Sequence, residues 1–191
     1  LAHRSAALAG RLRRVESDIA AKGGTAIGVQ ADVGKLEDSR RVIALAVERF
    51  GRLDILVNNA ATFPVSTAME MTESLWDKTF AVDSKGAFFA AKFAAEAMIA
   101  AGNGGRIINI LSTAAFRVAS VFTAYGAAKQ GLWYTTQAMA QELAEHHILV
   151  NAVTPGATLT AERIAAFGGD TEAGKVFGEE MGPERSDLRR R

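Results

Sequence analysis

The stretch Tyr125-Gly126-Ala127-Ala128-Lys129 holds a phenol and an amine four positions apart, with Ser112 thirteen positions upstream. On a helix, residues i and i+4 stack on one face, so Tyr125 and Lys129 come within reach of each other. A free phenol titrates near ~10, too high to trade protons readily at neutral pH. A neighbouring ammonium stabilises the phenolate and pulls that value down. The phenol can then give a proton to a reacting oxygen or take one from it. A Ser112 hydroxyl at the end of a strand beside the helix can hydrogen-bond the same oxygen and hold its developing charge. The chemistry supported is the interconversion of a carbonyl and an alcohol. A Tyr and a Lys at this spacing also occur in many helices as a ring packed under a solvated amine, so the surrounding elements must decide.

Those elements alternate. Residues 1–4 suit the tail of a strand, and Ser5 then caps a helix over 6–22, with Leu8, Leu12, Val15 and Ile19 at helical spacing and Gly23-Gly24 as its stop. Residues 25–31 (TAIGVQA) form a short strand ending at Asp32-Val33, and 35–50 a second amphipathic helix broken by Gly51. Residues 53–57 (LDILV) form a near-continuous apolar strand, as in a sheet covered on both faces. A long helical region begins at Thr72 or Ser74 and runs through Ala101, with a bend near Gly86. After the turn at 102–105, the strand 106–111 (RIINIL) delivers Ser112. A helix over 122–145 and a strand over 148–153 follow, ending at Thr154-Pro155-Gly156, with a short helix expected over 161–167. Strand alternating with helix implies βαβ units and a parallel sheet, whose ligands bind beyond the C-terminal strand ends. Asp32-Val33, residues 58–61, Ser112 and Pro155-Gly156 occupy those ends; singly they are ordinary turn formers, but together they favour a site.

Composition narrows the class. With 191 residues, 49% hydrophobic and 23% charged, the chain suits one domain with a sizeable core. A net charge of +1 provides no global field for nucleic acid or membrane. No cysteine means no disulfide framework and no thiolate metal site; this fits a reducing compartment, so a cytoplasmic location and no metal are expected. The apolar run 87–101, interrupted by Lys92 and Glu96, is too short for a membrane span. The stretch 168–191 lacks a usable period and reads as a mobile, solvated tail despite Arg189-Arg190-Arg191.

Taken together, Asp32-Val33, Leu56-Val57-Asn58-Asn59-Ala60, Ser112, the Tyr125-to-Lys129 motif and residues 151–156 (NAVTPG) resemble the short-chain dehydrogenase/reductase family, of the type that includes 3-oxoacyl-carrier-protein reductases. The resemblance covers 1 to about 160 and implies an α/β fold: a Rossmann-like doubly wound parallel sheet with helices on both faces. It implies Tyr125 as general acid/base, Lys129 as its partner and a ligand of the nicotinamide ribose, and Ser112 as carbonyl orienter. Asp32 and Val33 would meet the adenine, and Asn59 with Ala60 the ribose. Pro155, Gly156, Thr158 and Thr160 would follow the nicotinamide end. If residues 1–4 end the second strand, Arg4 suits a 2′-phosphate, which favours NADP while leaving NAD open. A small-molecule carbonyl or alcohol substrate and a homo-oligomer built through the helices 74–101 and 122–145 are implied, with residues 161–191 as lid and tail of a single domain over 1–191.

The sequence departs from that pattern in two places. It has no strand followed by a Gly-rich turn opening a helix, the usual pyrophosphate cradle. In the doubly wound order this would remove the central strand, leaving ladder groups that cost roughly 1–3 kcal/mol each if buried unsatisfied. Several such losses rival a domain's stability of about 5–15 kcal/mol. The expectation is therefore a partial gene product, truncated at both ends. Second, Asp83 stands in Val82-Asp83-Ser84-Lys85-Gly86 where the family usually carries Asn. Near Lys129 its carboxylate would stabilise the ammonium and compete with Tyr125 for its field, so Asp83 joins the catalytic candidates. Two functions follow: an NAD(P)-dependent oxidoreductase, or a truncated, inactive remnant acting as an assembly partner.

Overall fold

The computed structural model describes residues 2–156, with side chains from residue 10 onward. Expectations for 157–191, including the short helix, the lid, Thr158 and Thr160, lie outside the described residues. Three parallel strands, β1 (Ile55–Asn58), β2 (Gly105–Ile110) and β3 (Ile148–Val153), lie side by side in that order. Helices α1 (Ala2–Ala20) and α2 (Leu36–Phe50) precede the sheet. Between β1 and β2 run α3 (Glu73–Phe80), a π-helical turn (Ala81–Gly86) and α4 (Ala87–Ala101). Helix α5 (Thr123–Glu142) connects β2 to β3. This is the parallel α/β order of a Rossmann-like sheet.

Register sorts the side chains between two faces. Leu56, Ile107 and Val150 are in line across the sheet and turn toward α4 and α5. Helix α4 can approach closely because its buried stripe is largely alanine (Ala87, Ala90, Ala91, Ala94, Ala95), with Phe93 and Met98 filling the gaps. Among the described residues the helices over this sheet cover one face rather than both. On the other, Ile55, Val57, Leu149 and Val153 are each about half exposed.

Two expected strands are absent. Residues 2–4, including Arg4, lie in the first turn of α1 rather than in a strand tail. The Ala-, Leu- and Arg-rich run has high helix propensity, and no neighbouring strand offers its backbone a ladder. Residues 25–31 form no strand. Alternating side chains do not make a strand without a paired edge, and β1 pairs only with β2 among the described residues. The expected bend near Gly86 is the π turn, and Thr72 settles the start of α3, its Oγ1 accepting from Leu75 N–H at 3.2 Å. The last helix stops at Glu142, and a 3-10 turn (Ala144–His146) leads into β3.

Candidate active site

The C-terminal strand ends, the π turn and the start of α5 meet around Lys129. On α5 the buried positions Tyr125, Ala128, Lys129, Leu132, Thr136 and Met139 recur at helical spacing, so the helix carries Tyr125 and Lys129 inward on its core face. Tyr125 is 8% exposed and Lys129 2%. The ammonium Nζ donates to the Ile110 carbonyl at 2.9 Å and lies 5.8 Å from the centre of the Tyr125 ring. Phe63 meets that ring edge-on, with centroids 4.9 Å apart.

Ser112 follows β2 directly in extended backbone and caps the 3-10 turn at Thr113–Ala115, its Oγ accepting from Ala114 N–H at 3.2 Å. The hydroxyl proton remains available to donate. Gly126 lets this turn and α5 pack together, since a Cβ there would stand 2.8 Å from the Ala114 carbonyl oxygen. Thr113 N–H reaches the Pro155 carbonyl at 3.2 Å, tying the β2 and β3 exits to each other.

Asp83 is fully buried in the π turn. Its Oδ1 lies 3.5 Å from Lys129 Nζ, an ion pair rather than a short hydrogen bond, and accepts no hydrogen bond from the described residues. Its Oδ2 accepts both the Thr62 N–H at 2.9 Å and the Thr62 hydroxyl at 2.6 Å. Burial pushes the Lys129 ammonium below the usual lysine range, while the Asp83 carboxylate pulls it back up. The π turn is held by a close approach: a Cβ on Gly86 would stand 2.3 Å from the Val33 carbonyl oxygen. Turns of this kind often mark functional positions in helices.

A second region collects several of the expected cofactor positions. Val33, Asn59 and Ala60 line a cavity of about 300 Å³ with Ala31, Val82 and Gly86. Asp32 does not line it; its Oδ1 accepts from Gly34 N–H at 3.0 Å and its N–H donates to Asp38. A largely apolar pocket between backbone segments suits a flat heteroaromatic ring, so the residues present fit the adenosine half of a dinucleotide. No strand followed by a Gly-rich turn and a helix lies among the described residues. Pro155 and Gly156 follow β3 at the same end of the sheet, and Arg4 lies in α1.

Two features escape motif reasoning. Asn109, 1% exposed, accepts from Asn58 Nδ2 at 2.9 Å and donates to Thr136 Oγ1 at 2.9 Å, stitching β1, β2 and α5 together behind the site. An amide inside the apolar run RIINIL was its signal. Thr62 had none, because a threonine after a strand reads as ordinary loop. Among the described residues no group of acidic, histidine or cysteine side chains could hold a metal ion, and no helix is long and apolar enough to cross a membrane.

The chain is similar to an uncharacterised oxidoreductase, YohF, of Escherichia coli (strain K12), with 44% identity over 69% of this chain and 52% of that protein. It is 40% identical to the L-rhamnose 1-dehydrogenase (NAD(P)(+)) of Azotobacter vinelandii, over 80% of this chain and 59% of that one. Among solved structures it resembles acetoin dehydrogenase YohF from Salmonella typhimurium, with a TM-score of 0.74 and 39% identity, over 84% of this chain and 61% of that one. None of these three carries the 3-oxoacyl-carrier-protein reductase name, and the chain spans between half and three fifths of the curated relatives' length. The family model described as short chain dehydrogenase matches residues 4–167. The parallel sheet, the grouping of Tyr125, Lys129 and Ser112 around its strand ends and this match agree: the chain belongs to the short-chain dehydrogenase family.

Proposed function

We propose that the protein carrying this chain is an NAD(P)-dependent oxidoreductase interconverting a carbonyl and an alcohol, with Tyr125 as general acid/base. The observation that carries the reading is the placement of Lys129. Its ammonium is withdrawn from water, tethered to the last carbonyl of β2 and paired with Asp83, one helical turn from the phenol. A buried cation is costly unless it serves a partner, and a phenolate is a fitting one.

When bound, the nicotinamide supplies or accepts the hydride. In the direction of reduction Tyr125 gives its proton to the carbonyl oxygen; in oxidation it takes the proton back. Lys129 stabilises the phenolate in both directions and would also hold the nicotinamide ribose, while Ser112 donates a hydrogen bond to the same substrate oxygen. Val33, Asn59 and Ala60 would hold the adenosine half in the cavity they line, Asp32 would stand beside it, and Pro155 and Gly156 would border the nicotinamide end. With Arg4 in α1 rather than at a strand end, its argument for a 2′-phosphate falls, and the reading covers NADP and NAD alike. A homo-oligomer formed through the helices around 74–101 and 122–145 accords with a groove of about 610 Å³ lined by Phe80, Phe88 and Thr135. A cytoplasmic location goes with this reading.

The test is a steady-state assay of the full-length protein with NADPH and NADH. Relatives named for acetoin and L-rhamnose direct the substrate panel to small hydroxy-ketones and sugars. Turnover lost in Tyr125→Phe is the expected result. Tight NADPH binding without oxidation of the coenzyme across the panel would overturn the reading and leave the assembly-partner role.

A further inference from the structure

We propose that Thr62 is a positioning residue for Lys129, gripping one carboxylate oxygen of Asp83 with two donors and so aiming the other oxygen at the ammonium. The catalytic meaning of this clamp rests on the function proposed above; its geometry does not.

Asp83 Oδ2 takes the Thr62 backbone N–H at 2.9 Å and the hydroxyl at 2.6 Å. Hydrogen bonds to a charged acceptor are about twice as strong as neutral ones, so this pair fixes the plane of the carboxylate. Oδ1 is left with the Lys129 ammonium at 3.5 Å and accepts no hydrogen bond from the described residues. Thr62 sits in the loop after β1, Asp83 in the π turn and Lys129 on α5, so the clamp couples three separate elements.

The groups around Lys129 are few. Helix α5 contributes the Tyr125 phenol, β2 the Ile110 carbonyl and the π turn Asp83. Lys85 of the same turn lines the outer groove with Phe88 instead. Asp83 is thus the acidic group opposing the desolvation of Lys129, and its orientation depends on Thr62. An amide at position 83 would offer a dipole where the carboxylate offers a full charge. Replacing Asp83 therefore alters the charge balance at Lys129, and loosening Thr62 alters it by reorienting the carboxylate.

The experiment follows the titration of Lys129 by NMR in the full chain with isotope-labelled lysine, assigning its signal with Lys129→Arg. Asp83→Asn should lower the Lys129 pKa by about one unit or more, and Thr62→Val by about half a unit, with Thr62→Ser restoring the original value. Should Thr62→Val not fold, Thr62→Ala removes the same hydroxyl with less bulk and gives the same readout. A Lys129 titration unmoved in the folded Thr62 variant, or unmoved in Asp83→Asn, overturns the proposal. If the titrations shift as stated but no nicotinamide-linked activity exists, the clamp stands and the oxidoreductase reading falls. If activity is present and the titrations are unmoved, the clamp falls alone.

Discussion

The Lys129 ammonium donates to the Ile110 carbonyl at 2.9 Å, so a charged side chain in the second turn of α5 is anchored to the last residue of β2. A strand end normally leaves its final carbonyls to water or to a loop. Here the carbonyl holds the cation in place, and the helix start cannot drift from the sheet without breaking that bond.

Removing the phenol tests the chemistry with little disturbance to packing. In Tyr125→Phe the edge-on contact with Phe63 is kept, and only the hydroxyl is lost. The rate should fall by about 10²–10⁴-fold, the usual worth of a general acid/base, with thermal stability nearly unchanged. Comparison of kcat and melting temperature checks both halves.

Removing the amine tests the ion pair. Lys129→Met leaves the Asp83 carboxylate buried without its counter-charge, which should cost about 3–5 kcal/mol. Adding Asp83→Asn to Lys129→Met should recover part of that loss, measured by urea unfolding of all four members of the cycle.

The pH dependence has a definite sign. Burial holds Lys129 below the ordinary lysine range in the folded chain, whereas an unfolded lysine titrates near ~10.4. Between those two values the unfolded chain binds the extra proton, so through this group stability rises with pH. Below the folded value both states are protonated and the contribution is flat. Urea unfolding on the alkaline side should show this slope in the parent and lose it in Lys129→Met.

Gly86→Ala places a Cβ 2.3 Å from the Val33 carbonyl oxygen, which backbone must yield to accommodate. Such overpacking costs about 1–3 kcal/mol and exceeds the ~0.5–1 kcal/mol that alanine gains over glycine in a helix. The variant should melt earlier and bind a dinucleotide more weakly, because Val33 lines the cavity assigned to the adenosine half. Calorimetry with the coenzyme, alongside a melting curve, measures both.

Asn109→Leu keeps the volume but strips the link between Asn58 and Thr136. Asn58 keeps the Ala87 carbonyl and Thr136 the Leu132 carbonyl, so losing the two bonds through Asn109 should cost about 0.5–1.5 kcal/mol each, read from the denaturation midpoint.

Periodicity made α2, α5 and the three paired strands legible, and the four-residue spacing correctly brought Tyr125 and Lys129 to one face. It also marked the disturbance at Gly86, because glycine inside a long apolar helix is out of place there. The failures share a cause. Residues 25–31 alternate as a strand does and residues 2–4 stand ahead of a helix-capping serine, but a strand exists only when another chain segment pairs with it. Thr62 stayed hidden for a related reason. Its role depends on Asp83, twenty-one residues away, and on a π turn that no local pattern encodes. Asn109 lies between these cases: its burial could be foreseen from the apolar strand, its two partners could not.

The extra residue accommodated at Ala81–Gly86 has a consequence for how this chain tolerates change in length. Each residue of an α-helix advances it by about 100°, so an added residue would turn one half of the helix away from the other unless a wide turn absorbed it. Deleting one position here would let the turn close to ordinary α-helix and leave α3 and α4 on their faces, while Asp83 would lose its place against Lys129. The alanine stripe should therefore survive a one-codon deletion that the ion pair would not.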